Sequence, residues 1–160
     1  MSLPKILECQ TKIRFQDCDP FNHLNNAAYI NYMINAREDQ VEKHYKLDIF
    51  EMAKNHGVSW VVSTNQIAYM RPALLMETVT VQSQLIHFNE SELFVELRMY
   101  NEDKTELKAV MWSTFVHFNL LKQKRWKHDE QLHSLFESVK NPTPQSSFEE
   151  RIKSLKPQKV

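Results

Sequence analysis

The sequence predicts a two-layer α+β domain, one long helix laid on a five-stranded antiparallel sheet, and three observations carry that prediction. A helical-period stretch, Asn26 to about Tyr45, follows a single alternating strand. Four runs rich in Val, Ile, Thr, Phe, Tyr and Trp then fill the chain from Ser59 to Leu120. One glycine, Gly57, separates the helical part from the strand-rich part. At 160 residues the chain has room for one domain with its own core.

Taken in order, Leu7 to Phe15 alternates, with Cys9, Thr11, Ile13 and Phe15 on one side and Gln10, Lys12 and Arg14 on the other. That is the pattern of a half-buried strand. A polar turn follows. In the long helix Tyr29, Tyr32, Met33, Ala36 and Val41 recur at helical spacing, leaving Asn31, Arg37, Glu38 and Glu42 to face elsewhere. Asn25 or Asn26 is placed to cap it, since a short amide accepts from the first free N–H groups. Ile49 to Asn55 reads as a short helix that stops at Gly57, the residue that tolerates a left-handed backbone. Ser59–Met70, Thr78–Phe88, Leu93–Asn101 and Glu106–Leu120 read as long strands with short links, for which a meander is the expected topology. Arg71-Pro72-Ala73 interrupts the first pair and Asn101–Lys104 makes a hairpin turn. Beyond this body, residues 1–127, a C-terminal helical appendage spans 128–160. It comprises a helix at Asp129–Val139, a linker at Asn141–Pro144 and a capping-box start at Ser147–Glu150.

Composition excludes several functions. Lys+Arg and Asp+Glu balance at 20 each, against a dedicated nucleic-acid binder. No apolar run has the length of a membrane span, the first residues show no signal-peptide core, and Cys9 and Cys18 form no CxxC unit; a cytoplasmic setting is expected. With one glycine there is no phosphate loop of the Walker or Rossmann kind. The seven histidines never fall at HxH or HExxH spacing. Read as a calcium loop from Asp17, the sixth and twelfth positions are Asn22 and Ala28, where Gly and Glu are needed. No metal site and no cofactor are expected.

The chemistry concentrates in Gln16–Asn26, a turn holding Asp17, Asp19, His23, Asn25 and Asn26 between strand and helix. There a carboxylate meets free N–H groups at a helix start, the minimum for acyl transfer: one group attacks or activates water while the other stabilises an oxyanion. Turn chemistry alone explains Asp residues in such a place, and Asp17 is read that way, as a structural carboxylate. His23 is either a turn residue satisfied by backbone or a group that steadies the loop or the thioester. The Tyr29, Tyr32, Met33 stripe reads as core. The run Lys122, Lys124, Arg125, Lys127 is an ordinary solvated face that could also hold phosphates.

Together the motifs Arg14-Phe15-Gln16-Asp17-Cys18-Asp19-Pro20, His23-x-Asn25-Asn26-x-x-Tyr29-x-x-Tyr32, Ala36-Arg37, Ile67-x-Tyr69-x-Arg71-Pro72-Ala73, Glu77 and Ser91 resemble hotdog-fold thioesterases of the 4-hydroxybenzoyl-CoA thioesterase type. The resemblance runs over roughly residues 8–120. It implies an antiparallel sheet wrapped around a long helix, pairing in a homodimer or homotetramer, active sites at the dimer interface, and metal-independent hydrolysis of acyl-CoA thioesters. By position the catalytic carboxylate matches Asp19 and the oxyanion donor the backbone N–H of Asn26, with His23 beside them. Asn25, Tyr29, Tyr69, Arg71 and Ser91 become the candidate substrate-binding residues. CoA enters as part of the substrate, not as a cofactor. The sequence departs from the family in three places. Asn22 stands where many members have Gly, Met76-Glu77 replaces a Gly-Asp, and Phe88-Asn89-Glu90 replaces residues that are basic in some relatives. The last change leaves open an acyl-carrier-protein thioester as substrate, and a noncatalytic acyl-CoA-binding module is the rival from another class.

Overall fold

Five long strands and one two-residue strand form a single antiparallel sheet in the computed structural model, which describes residues 2–156. They are β1 (Ile6–Lys12), β2 (Val58–Tyr69), β3 (Thr78–Phe88), β4 (Glu92–Asn101), β5 (Leu107–Asn119) and β6 (Lys124–Arg125), and the helices are α1 (Ala28–Tyr45), α2 (Ile49–His56), α3 (Glu130–Val139) and α4 (Phe148–Leu155). The expected elements are present, and β6 adds a short hairpin on the end of β5, pairing Phe118 with Arg125.

The strand order β1-β3-β4-β5-β2 corrects the expected meander. Only β3, β4 and β5 meander; β2 lies on the far side of β5 and forms one edge. The link from Met70 to Glu77 is long enough to cross three inter-strand gaps, roughly 14 Å. It is held to the first turn of the chain by Leu24 N–H to Ala73 O (2.8 Å), Leu75 N–H to Asn22 O and Met76 N–H to Ile13 O (both 2.9 Å). These long-range bonds, absent from any local pattern, select the crossover.

Alternation in β1 holds through Ile13, but the strand ends at Lys12 and a 3-10 turn spans Phe15–Asp17. Phe15 therefore swings outward to 76% exposure instead of continuing the buried side. The helix α1 buries Tyr29, Met33, Ala36 and Val41 as its spacing requires, and also Arg37 and Gln40. The expectation that Arg37 faces away is corrected. Its guanidinium donates to Ser83 Oγ (2.9 Å), and Gln40 donates to Val81 O (3.0 Å), so polar side chains satisfy polar groups of β3 beneath the helix. Burial lowers the Arg37 guanidinium to about 10. The apolar core gathers Ile13, Leu24, Met33, Val81, Leu97, Met99 and Met111 with Phe136 and Val139 of α3. On the opposite face of the sheet α4 covers Trp112, with Phe148 edge-on at 5.5 Å.

Helix ends follow the chemistry of their residues. Asp48 accepts from Phe50 and Glu51 N–H to start α2, and Gly57 stops it at φ 68°. Asp129 and Ser147 cap α3 and α4 in the same way. At α1 neither Asn25 nor Asn26 caps through its side chain. Ala27 opens the helix and the Asn25 carbonyl takes the Ala28 N–H at 2.9 Å.

Candidate active site

Backbone bonds set the turn before α1. Asp19 N–H donates to His23 O (2.8 Å), Asn22 N–H to Asp19 O (3.0 Å) and Asn25 N–H to Asp17 O (2.9 Å). Asn22 sits at φ 62° and Met76, across the bridge between His23 and Leu74, at φ 65°. Both positions where the family resemblance implies glycine thus keep the left-handed backbone glycine favours. Asn does so cheaply through its short amide, Met at a steric cost.

The two carboxylates are used differently. Asp17 Oδ2 accepts the Tyr32 hydroxyl at 2.5 Å, and that hydroxyl accepts the Arg14 N–H at 3.1 Å, tying the turn to α1. Burial first, and then this hydrogen bond to Asp17, pushes the Tyr32 hydroxyl pKa up. Asp19 Oδ1 accepts from Phe21 N–H (2.9 Å) and His23 N–H (3.1 Å), while its Oδ2 has no donor among the described residues. One oxygen fixes the group's orientation and the other is left over. The Asn26 N–H also has no acceptor among the described residues. A carboxylate oxygen and an N–H just ahead of α1, both without partners among the described residues, thus stand on one turn.

The other sequence candidates divide. Tyr69 donates to the Asn26 carbonyl at 2.7 Å and lies edge-on to Tyr29 at 5.1 Å, so both belong to this turn. Tyr29 is only 2% exposed, and its hydroxyl takes the Ala73 N–H at 2.9 Å, a position inside the core. His23 acts through its backbone, and its ring makes no hydrogen bond among the described residues. Asn25 is exposed beside them. Arg71 is exposed and faces Glu106 at 3.7 Å. Ser91 is not brought near within one chain. It lies in the bend just before β4, at the sheet end where Val116 pairs with Glu92, whereas Tyr69 pairs with Ala109 at the other end. Four large apolar side chains on the turn and on the link bonded to it, Phe15, Phe21, Leu74 and Met76, stay exposed. A cavity of about 110 Å³ lies farther along α1, lined by Ile34, Val41, Trp60, Leu85, Phe115 and Phe136 among others.

Two polar clusters escaped sequence reasoning. Lys108, buried, donates to Pro72 O (3.0 Å) and faces Glu106 (2.9 Å) and Glu77 (3.3 Å), bracing the link that holds the turn. Its signal was a lysine in the otherwise apolar run 107–112. On the outer face, Glu96 bonds Arg98, Trp112 Nε1 (2.7 Å) and both Arg151 Nε and Nη2 (2.9 Å). Arg98 also donates to Gln84 and Gln82, so it is a structural cation and not an open phosphate ligand. No group of three or more metal-type side chains gathers among the described residues, and no helix there is long and apolar enough to cross a membrane.

Comparison with known proteins identifies the family and the fold. The model of the Thioesterase-like superfamily matches residues 13–151. The chain is similar to the long-chain acyl-CoA thioesterase FadM of Escherichia coli (strain K12), at 29% identity over 133 residues, 83% of this chain and 98% of the relative. Among solved structures it is similar to YbaW of Escherichia coli, a "probable thioesterase", at 29% identity and TM-score 0.71, covering 84% of this chain and 99% of that one. The DHNA-CoA thioesterase of Staphylococcus aureus shares the fold at TM-score 0.77 and 16% identity, over 84% of this chain and 90% of that one.

Proposed function

This chain belongs to the Thioesterase-like superfamily, and from that premise we propose that it hydrolyses an acyl-CoA thioester to the free acid and CoA. The observation that carries the reading is the division of labour within Asp19, one oxygen held by two N–H groups and the other without a donor among the described residues. The thioester carbonyl oxygen accepts from the Asn26 N–H, which stabilises the oxyanion as negative charge develops. Asp19 Oδ2 then either bonds the carbonyl carbon and expels the CoA thiolate, leaving a mixed anhydride that water hydrolyses to the free acid and Asp19, or takes a proton from the water that bonds that carbon, after which the tetrahedral intermediate breaks its C–S bond and releases the CoA thiolate. Neither route asks for a metal. Tyr69 holds the Asn26 carbonyl and so steadies the peptide beyond the N–H donor. An acyl chain running along α1 from Asn26 reaches Ile34 after eight residues, roughly 12 Å at the helical rise, and ends in the apolar cavity there.

The reading includes a homodimer paired along β2. That edge is twelve residues long and carries no charge from Val58 to Tyr69, whereas the opposite edge, β1, carries Glu8 and Lys12. Long uncharged edges associate unless protected. A second chain would also cover the exposed apolar residues around the turn.

The test is a thiol-release assay with a panel of acyl-CoA thioesters of different length, run on the native chain and on Asp19→Asn. Hydrolysis by the native chain and its collapse in the variant, with both folded, is the expected result. A native chain that binds acyl-CoA and never releases thiol would make it the noncatalytic module.

A further inference from the structure

Resting on the thioesterase reading above, we propose that the β5–β6 hairpin of a second copy, through Lys122 and Lys124, holds the nucleotide phosphates of the CoA whose thioester lies at Asp19 and Asn26. Within one chain three cations beside Tyr69 are engaged, whereas Lys156 across the same groove and Arg14 at the turn have no carboxylate partner among the described residues. Arg71 faces Glu106 at 3.7 Å, Lys108 faces Glu106 and Glu77, and Lys104 meets Glu8 at 2.7 Å. In the β5–β6 hairpin, Arg125 and Lys127 face Glu92 (3.9 Å) and Glu90 (3.5 Å). Lys122 and Lys124 have no carboxylate partner among the described residues. Their ammonium groups stand 4.7 and 5.6 Å from the Trp126 ring centre, which gathers two exposed positive charges at one place. The turn beneath them is fixed, since Asn119 Oδ1 accepts from both Leu121 N–H (3.0 Å) and Lys122 N–H (2.9 Å).

Distance decides which active site this pair can serve. The hairpin leaves β5 at Asn119, opposite Val58, while the active turn is bonded to Tyr69 at the other end of β2. Those ends are separated by eleven residue steps, roughly 36 Å along the strand. The pantetheine arm of CoA has the reach of a peptide of four or five residues, roughly 15 Å. Within one chain it falls short by more than half. In a two-fold dimer each β2 runs antiparallel to its copy. A pairing centred between Ser63 and Thr64, the middle of the strand, sets Tyr69 of one copy against Val58 of the other. The second copy's hairpin then stands two to three strand spacings from Tyr69, roughly 10–15 Å, within the arm's reach. The same symmetry brings the second copy's Phe88-Asn89-Glu90 turn to that side, and its lack of cations is made good by the neighbouring hairpin.

The experiment uses purified full-length dimers, acyl-CoA, and the matching acyl-pantetheine thioester, which lacks the nucleotide. Lys122→Glu/Lys124→Glu should raise KM for acyl-CoA about tenfold or more, the scale of losing charged hydrogen bonds. It should leave kcat within about twofold and KM for acyl-pantetheine unchanged. Mixed dimers, isolated with two affinity tags, pair one Asp19→Asn chain with one Lys122→Glu/Lys124→Glu chain. If the hairpin acts across the dimer, their one intact site combines Asp19 of the second chain with the lysines of the first. KM for acyl-CoA is then that of the native dimer at about half its turnover. A mixed dimer with the raised KM would place the lysines in the same chain as Asp19 and overturn the proposal. An unchanged KM in the double variant, or full activity in a monomer, overturns it too and leaves the thioesterase reading standing. A native dimer that cleaves neither substrate overturns that reading and this proposal with it.

Discussion

Two carboxylates in this chain, Glu96 on the outer face of the sheet and Asp19 in the turn before α1, share a charge and differ in how fully they are used. Glu96 is fully buried and both its oxygens are taken, by Arg98, Arg151 and Trp112. Burial alone would raise its pKa, yet hydrogen bonds from Arg151 and Trp112 and the charges of Arg98 and Arg151 hold it below the usual range. Asp19 is half-buried and keeps one oxygen unpaired among the described residues. A saturated carboxylate has nothing left to offer a substrate and works as a fastener for α4. An oriented but unsaturated one costs the fold something and is available for chemistry.

That difference predicts opposite signatures. Asp19→Asn should cut kcat by a factor of about a thousand or more, a loss of roughly 4 kcal/mol of transition-state stabilisation. Its melting temperature should stay near the native value. Glu96→Ala should do the reverse, removing roughly 3–5 kcal/mol of stability by stranding two arginines, with kcat nearly intact in the folded fraction. Thermal melts beside kinetics separate the two, and a Glu96 variant that melts normally while losing activity would break the comparison.

Asp17 sharpens it from within the same turn. Its carboxylate is used by Tyr32, so Asp17→Asn and Tyr32→Phe should each cost about 1–2 kcal/mol of stability and reduce kcat far less than Asp19→Asn does. Equal loss of turnover from Asp17→Asn and Asp19→Asn, with folding intact, would show that the two acids share the chemistry.

Acid should probe a third kind of buried group, used but uncharged. His128 accepts the Trp60 indole N–H at 3.0 Å and stacks on His117 at 4.8 Å. Burial, and then the neighbouring His117, push it down to about 4, and burial lowers His117 as well. The folded-state value lies below the unfolded one, so the unfolded chain takes up protons first. The stabilising contribution is complete above about pH 6.5 and is lost as pH falls from there toward 4. Allowing for solvent around a partly exposed ring, the loss should be roughly 1–2 kcal/mol, and His128→Gln should flatten it. Denaturant titrations at a series of pH values check this.

The smallest expected effect lies at Met76, φ 65°. Relieving the left-handed backbone with Met76→Gly should gain about 0.5 kcal/mol, the steric relief less the added freedom of the unfolded chain. A loss on chemical denaturation would show that the Met76 side chain contributes more than its exposure suggests.

Much of this molecule is readable along the chain. The strand at Thr78–Phe88, the Tyr29, Met33, Ala36 stripe of α1 and the Gly57 stop of α2 coincide with the observed elements. The Asp17–Asn26 turn was legible for a similar reason, since its residue types and its place between strand and helix are sequence properties. What failed were expectations about partners. Phe15 continued a pattern that a 3-10 turn cut short, and Arg37 looked like a solvent face.

The sequence by itself determined the elements and the chemistry they carry, because periods of two and 3.6 and the needs of helix ends are set by near neighbours. Only the tertiary structure decided that β2 crosses to the far side of β5 and becomes an uncharged edge. It alone decided that Glu96 is saturated by an arginine 55 residues away, and that Asp19 keeps one oxygen and Asn26 its N–H. The reason is physical: whether a polar group is satisfied depends on which distant atoms the fold brings within about 3 Å of it, and no local pattern encodes that distance.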